Sequence, residues 1–90
     1  MELLKPLIDS HTIFITHGPQ FGILDISYDG KHVGSKALKH LLERRKHKLH
    51  LFGHIHQAAG IYKNSINGAY PNIRKFIRID LNENKASYVK

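Results

Sequence analysis

The sequence contains no cysteine. That absence excludes a disulfide framework, a cysteine-based zinc finger and a thiol nucleophile. Any metal bound here must rest on His, Asp, Asn or Glu. No apolar run approaches the length of a membrane span, and residues 1–10 lack the basic start and apolar core of a signal peptide. A soluble, cytoplasmic chain with no membrane partner is therefore expected. Internal repeats, low-complexity stretches and obvious linkers are also missing, so residues 1–90 are read as a single domain. Acidic residues are scarce. Seven Asp and Glu stand against fourteen Lys and Arg, a formal net charge of +7. Such a chain is drawn to polyanions and phosphorylated ligands, although a solvated basic helix face accounts for much of the same charge.

Histidine is plentiful, with eight in 90 residues. Thr12–Thr16 (TIFIT) is β-branched and aromatic and reads as a buried strand, ending at His17-Gly18-Pro19. Gln20–Gly34 reads as a long loop, a kind of segment that is usually functional or disordered. Ser35 has the character of a helix N-cap. Ala37, Leu38, Leu41 and Leu42 then recur at spacings of three and four, predicting a helix to about His47. Lys48–Phe52 is a second short strand. Strand, crossover helix and strand form a βαβ unit, whose strands are expected to be parallel, adjacent and buried on both faces. Met1–Ile8 is compatible with a helical turn around Pro6. Phe76–Leu81 alternates apolar and polar residues, Asn82-Glu83-Asn84 is a turn candidate, and Ala86–Val89 is expected to pair back as an edge hairpin.

Ligands of open α/β sheets bind beyond the carboxyl ends of the strands. His17 lies just past the first strand, and His54 and His56 just past the second, in "GHIH". The βαβ topology thus sends three histidines to one sheet edge. By spacing alone, a His-x-His pair arises about 0.7 times by chance in this composition, so metal ligation and two satisfied surface or core histidines both remain open. His11, His32, His40, His47 and His50 are read as ordinary surface or core residues. Asp25 and Asp29 are read as solvated loop carboxylates rather than site groups.

"FITHGPQFGILD" (14–25), "KHVGSKAL" (31–38) and "KLHLFGHIHQAAGI" (48–61) resemble successive blocks of the calcineurin-like metallophosphoesterases, in particular the small metallophosphoesterase-domain branch. "SINGA" (65–69) corresponds to that branch's Ile-Asn-Ala-Ser stretch. Gln20 stands where the pattern has a second Pro, and Gln57 where it has Glu. The resemblance implies an α/β fold: part of a metallo-dependent phosphatase-like sandwich, with the βαβ unit followed by C-terminal antiparallel strands. It also implies a dinuclear site for divalent manganese, iron or zinc. His17 and His54 would ligate one ion and His56 the other, and the reaction would be phosphomonoester or phosphodiester hydrolysis. The family's Asp-x-His, Gly-Asp and Gly-Asn-His motifs do not occur here in their expected positions; Asp9-Ser10-His11 precedes its strand instead of following it. The resemblance thus implies the C-terminal portion of such a domain, without activity unless complemented. A homodimer or a partner chain carrying the missing half is expected.

Two other readings follow from the residues. One is a basic nucleic-acid-binding module built on Lys31, the Lys36–Lys48 stretch, Arg74, Lys75 and Arg78. The other is a structural zinc site made by the three histidines, although three protein ligands leave a position that structural sites normally close.

Overall fold

The computed structural model describes residues 7–69, 76–83 and 85–89. Its central feature is a four-stranded sheet. Strands β1 (Ile13–Ile15) and β2 (Leu49–Phe52) are parallel neighbours, with Ile13 opposite Leu49 and Ile15 opposite Leu51. Helix α1 (Lys36–Glu43) joins them, so the βαβ unit is present. Ser35 caps the helix by accepting a hydrogen bond from the Leu38 N–H at 3.1 Å. Leu38, Leu41 and Leu42 turn inward, and Leu41 and Leu42 form the core with Ile8, against which Phe14 packs.

The helix ends at Glu43, short of the predicted His47. Its apolar stripe stops at Leu42, and the Lys48 N–H is already committed to the Thr12 carbonyl at 2.8 Å, which draws the chain into β2. Beyond β2 lies a hairpin that the sequence pattern did not reveal. Strand β3 (Gly60–Tyr62) pairs antiparallel with β4 (Ser65–Asn67), and β4 inserts parallel against β2, giving the order β1-β2-β4-β3.

Strand β1 is therefore an edge. Ile13 is 36% exposed and Ile15 71%, so the expected burial on both faces holds for β2 and fails for β1. A second sheet, β5 (Phe76–Asp80) with β6 (Lys85–Val89), is the predicted antiparallel hairpin. Asp80 begins its turn by accepting from the N–H groups of Asn82 and Glu83. The expected turn around Pro6, Asn84 of the hairpin turn, and the basic residues Arg74 and Lys75 lie outside the described residues. No helix among the described residues is long and apolar enough to cross a membrane.

Candidate functional site

The parallel pairing of β1 and β2 carries both chains out at the same end of the sheet. The Thr16 N–H bonds to the Leu51 carbonyl at 3.0 Å, and the Gly53 N–H bonds to the His17 carbonyl at 3.0 Å. The strand ends are thus laced together one residue before His54. The Ile55 N–H then returns to the Gly53 carbonyl at 2.9 Å, and His54 has φ +72°. This matches the γ-turn with positive φ, which is rare and strained for a residue with a side chain.

The turn sets His54 against His17. His17 Nε2 lies 3.2 Å from His54 Nδ1, and the ring centroids are 4.6 Å apart. Both side chains are exposed. One proton between the two nitrogens makes a hydrogen bond, and a cation can take that proton's place. Two imidazole nitrogens on one tetrahedral ion, each at about 2.0–2.1 Å, stand about 3.3 Å apart. The separation fits two ligands of a shared ion. His56 is different. It opens a one-turn 3-10 helix, His56–Ala58, and is exposed. Among the described residues no three His, Asp or Glu side chains are gathered as a metal-holding group. The structure joins His17 to His54 and does not draw His56 into the pair.

Two residues around this edge escaped the sequence reading. Asn67 is fully buried. Its amide donates to the Ile55 carbonyl at 2.9 Å and the Leu24 carbonyl at 3.2 Å, while its oxygen accepts the Ala69 N–H. Asn67 therefore clamps the histidine turn to the long loop. A polar residue at the end of an apolar strand, just before Gly68, was the available signal.

Asp25 corrects an expectation. It is not solvated but fully buried. Its Oδ2 accepts the N–H groups of Gly22 at 2.9 Å and Gly34 at 3.0 Å, and its Oδ1 meets His32 Nδ1 at 2.6 Å. Burial alone would raise its pKa. The hydrogen bonds from His32 and the two glycines outweigh burial and hold the carboxyl below its ordinary value. The long loop is ordered around this carboxylate.

His50 is a core residue with 0% exposure. Its ring lies between Phe14 and Phe52, with centroids at 5.9 and 4.6 Å. Thr16 Oγ1 donates to the Gly18 carbonyl at 2.6 Å, so at 2.9 Å it accepts from His50 Nε2–H. The tautomer follows: His50 Nδ1 carries the lone pair, and it has no hydrogen-bonding partner among the described residues. Burial, and then the nearby His47, push the His50 pKa down to about 4.

Comparison with known proteins agrees with the metallophosphoesterase motifs over part of the chain. Metallophosphoesterase domain-containing protein 1 of Homo sapiens is 43% identical to this chain over 51 residues, 54% of the chain and 16% of the relative. The Mus musculus protein of the same name matches to the same extent. The matching stretch thus spans about one sixth of these relatives. No family model matches the chain, and no solved structure does. The likeness is thus to part of proteins named for a metallophosphoesterase domain, and the fold is mixed α/β with one α-helix among the described residues.

Proposed function

We propose that this chain supplies the histidine ligands of a metal-dependent phosphoesterase site. His17 Nε2 and His54 Nδ1 share one divalent cation, and His56 serves a second. The observation that carries the reading is the 3.2 Å approach of the two imidazoles, held at the ends of parallel strands by a strained turn. Backbone strain of this kind persists where the surroundings enforce it, and it clusters at functional sites. The 43% identity to a metallophosphoesterase domain-containing protein supports the same chemistry. Imidazole donors suit manganese, iron and zinc. When bound, such ions polarise a phosphoryl oxygen and lower the pKa of water.

Neutral imidazoles cannot offset two dications. Asp25 spends both its oxygens on the loop, and Asp29 is bonded to Ser27 and the Lys31 N–H. No group of three His, Asp or Glu that could hold a metal occurs among the described residues, and this reading takes the carboxylate ligands from another polypeptide segment. The β1 edge, with Ile13 and Ile15 exposed, is where a further strand would add. Two consequences can be tested together. Calorimetric titration with zinc should show binding that weakens tenfold or more on His54→Ala. The 90-residue chain with manganese should not turn over bis-p-nitrophenyl phosphate at an enzymatic rate. Zinc binding indifferent to His54→Ala, or turnover abolished by His56→Ala, would contradict the respective part.

The basic-module reading gains no observation beyond exposure. Lys36 and Lys39, its central cations, lie over the Phe21 ring at 5.2 and 5.8 Å.

A further inference from the structure

A recess of about 610 Å³ lies between the long loop and the 3-10 helix that follows the histidine turn. Leu24, Ile26 and Tyr28 of the loop and Ala58 of the 3-10 helix give it an apolar lining. His32 and Gln57 also line it. Tyr28 is 90% exposed at its rim. The Asn67 clamp ties both sides together through Leu24 and Ile55, so the recess is bounded by the same framework that positions His54.

The His32 ring is fixed on two sides. Its Nδ1 meets the buried Asp25 carboxylate at 2.6 Å, and Phe21 lies beside it with centroids 5.4 Å apart. An ionised carboxylate only accepts, so Nδ1 carries the proton and donates. The opposite nitrogen, Nε2, then presents a lone pair. The side chain is 44% exposed and lines the recess, while Nδ1 faces a fully buried carboxylate. A carboxylate behind one nitrogen makes the other a better and better-oriented acceptor. Holding the loop needs Asp25 and the two glycine N–H groups. It does not need an imidazole acceptor displayed in an apolar recess.

We infer that this recess binds an aryl alcohol, with the ring against the apolar lining and the hydroxyl donating to His32 Nε2. A phenolic ring with its one hydroxyl matches a recess that combines apolar lining with a fixed imidazole, and the exposed Tyr28 offers an aromatic face. Resting on the phosphoesterase reading, the inference names the substrate class: phosphoesters of aryl alcohols, whose freed hydroxyl is the group His32 receives.

The test uses the full 90-residue chain in EDTA, so that it is independent of metal. Phenol and anisole, which have similar rings but differ in hydroxyl donor, are titrated while nitrogen and carbon resonances of His32 and Gln57 are followed. Phenol should move the His32 Nε2 resonance and bind about five- to tenfold more tightly than anisole, the range of one hydrogen bond. His32→Ala should remove that preference. Ala58→Phe, which fills the recess and leaves the Asp25–His32 pair intact, should abolish binding of both. Equal affinity for the two probes, phenol binding unaffected by either variant, or no binding at millimolar concentration would overturn the inference. If phenol binds as stated while zinc ignores His54, the metal reading fails and the recess stands. If zinc binds through His54 and phenol does not bind, the substrate class fails and the metal reading stands.

Discussion

Acidification from pH 7 to pH 5 should destabilise this protein through one residue, His50. In the unfolded chain its imidazole titrates near 6.5; in the fold, burial and then His47 lower that to about 4. The folded state therefore binds fewer protons than the unfolded state between these values. Stability is complete above pH 6.5 and drains as the pH falls toward 4. The difference between the two pKa values corresponds to about 3 kcal/mol in full, of which about 2 kcal/mol is lost by pH 5. The geometry gives the reason. Nε2–H is spent on Thr16, whose hydroxyl is spent on the Gly18 carbonyl, so a proton added at Nδ1 creates a charge between two phenylalanine rings. Against a total of about 5–13 kcal/mol for a chain of this length, the loss is large. Urea unfolding at pH 7 and pH 5 measures it. His50→Gln keeps a donor for Thr16 and does not titrate. The wild type should lose about 2 kcal/mol more than this variant over the interval. Equal losses in both proteins would refute the assignment of acid sensitivity to His50.

Three further outcomes follow from particular contacts. Asp25→Ala removes the acceptor of three hydrogen bonds and should lower stability by about 2–4 kcal/mol, seen as a fall in the thermal midpoint of about 10–25 °C by calorimetry. Gly34→Ala places a Cβ 2.3 Å from the Gln20 carbonyl oxygen and 2.4 Å from its carbon; because backbone cannot yield as a side chain does, circular dichroism should show a severely destabilised or unfolded protein. His54→Gly relieves the positive φ, so it should be more stable than His54→Ala by about 1 kcal/mol in urea, yet bind zinc no better.

The residues foretold the framework of the site better than its support. β1, α1 and β2 were legible because an apolar strand, a serine cap and a leucine stripe each obey a local rule, and parallel pairing then places His17 near His54. The β3–β4 hairpin was not, since its strands have three residues each and its turn, with Lys63 at φ +53°, lacks the usual Asn-Gly or Asp-Gly signal. The helix end was overread because its basic face continues past the last inward leucine. Asp25 and Asn67 eluded the pattern, while the burial of His50 follows from that of β2. Each of the three is a polar residue bonded to partners distant in the chain: Gly34 and His32 for Asp25, Leu24 for Asn67, Thr16 for His50. Polarity alone reads as exposure, and only the tertiary fold shows which atoms of such groups find partners; His50 Nδ1 finds none among the described residues. His56 marks the opposite limit. Its spacing from His54 is that of a ligand pair, but the backbone between them turns sharply and enters a 3-10 helix, and His56 is not drawn to the His17–His54 contact.

The central claim concerns two atoms, His17 Nε2 and His54 Nδ1. Long-range proton–nitrogen NMR of the imidazoles during zinc titration observes both directly. One equivalent of zinc should move these two nitrogens together, replacing the proton between them, with the His50 ring unchanged. Zinc that shifts only one of the pair, or that is taken up first at other histidines while the His17–His54 hydrogen bond persists, would contradict the account.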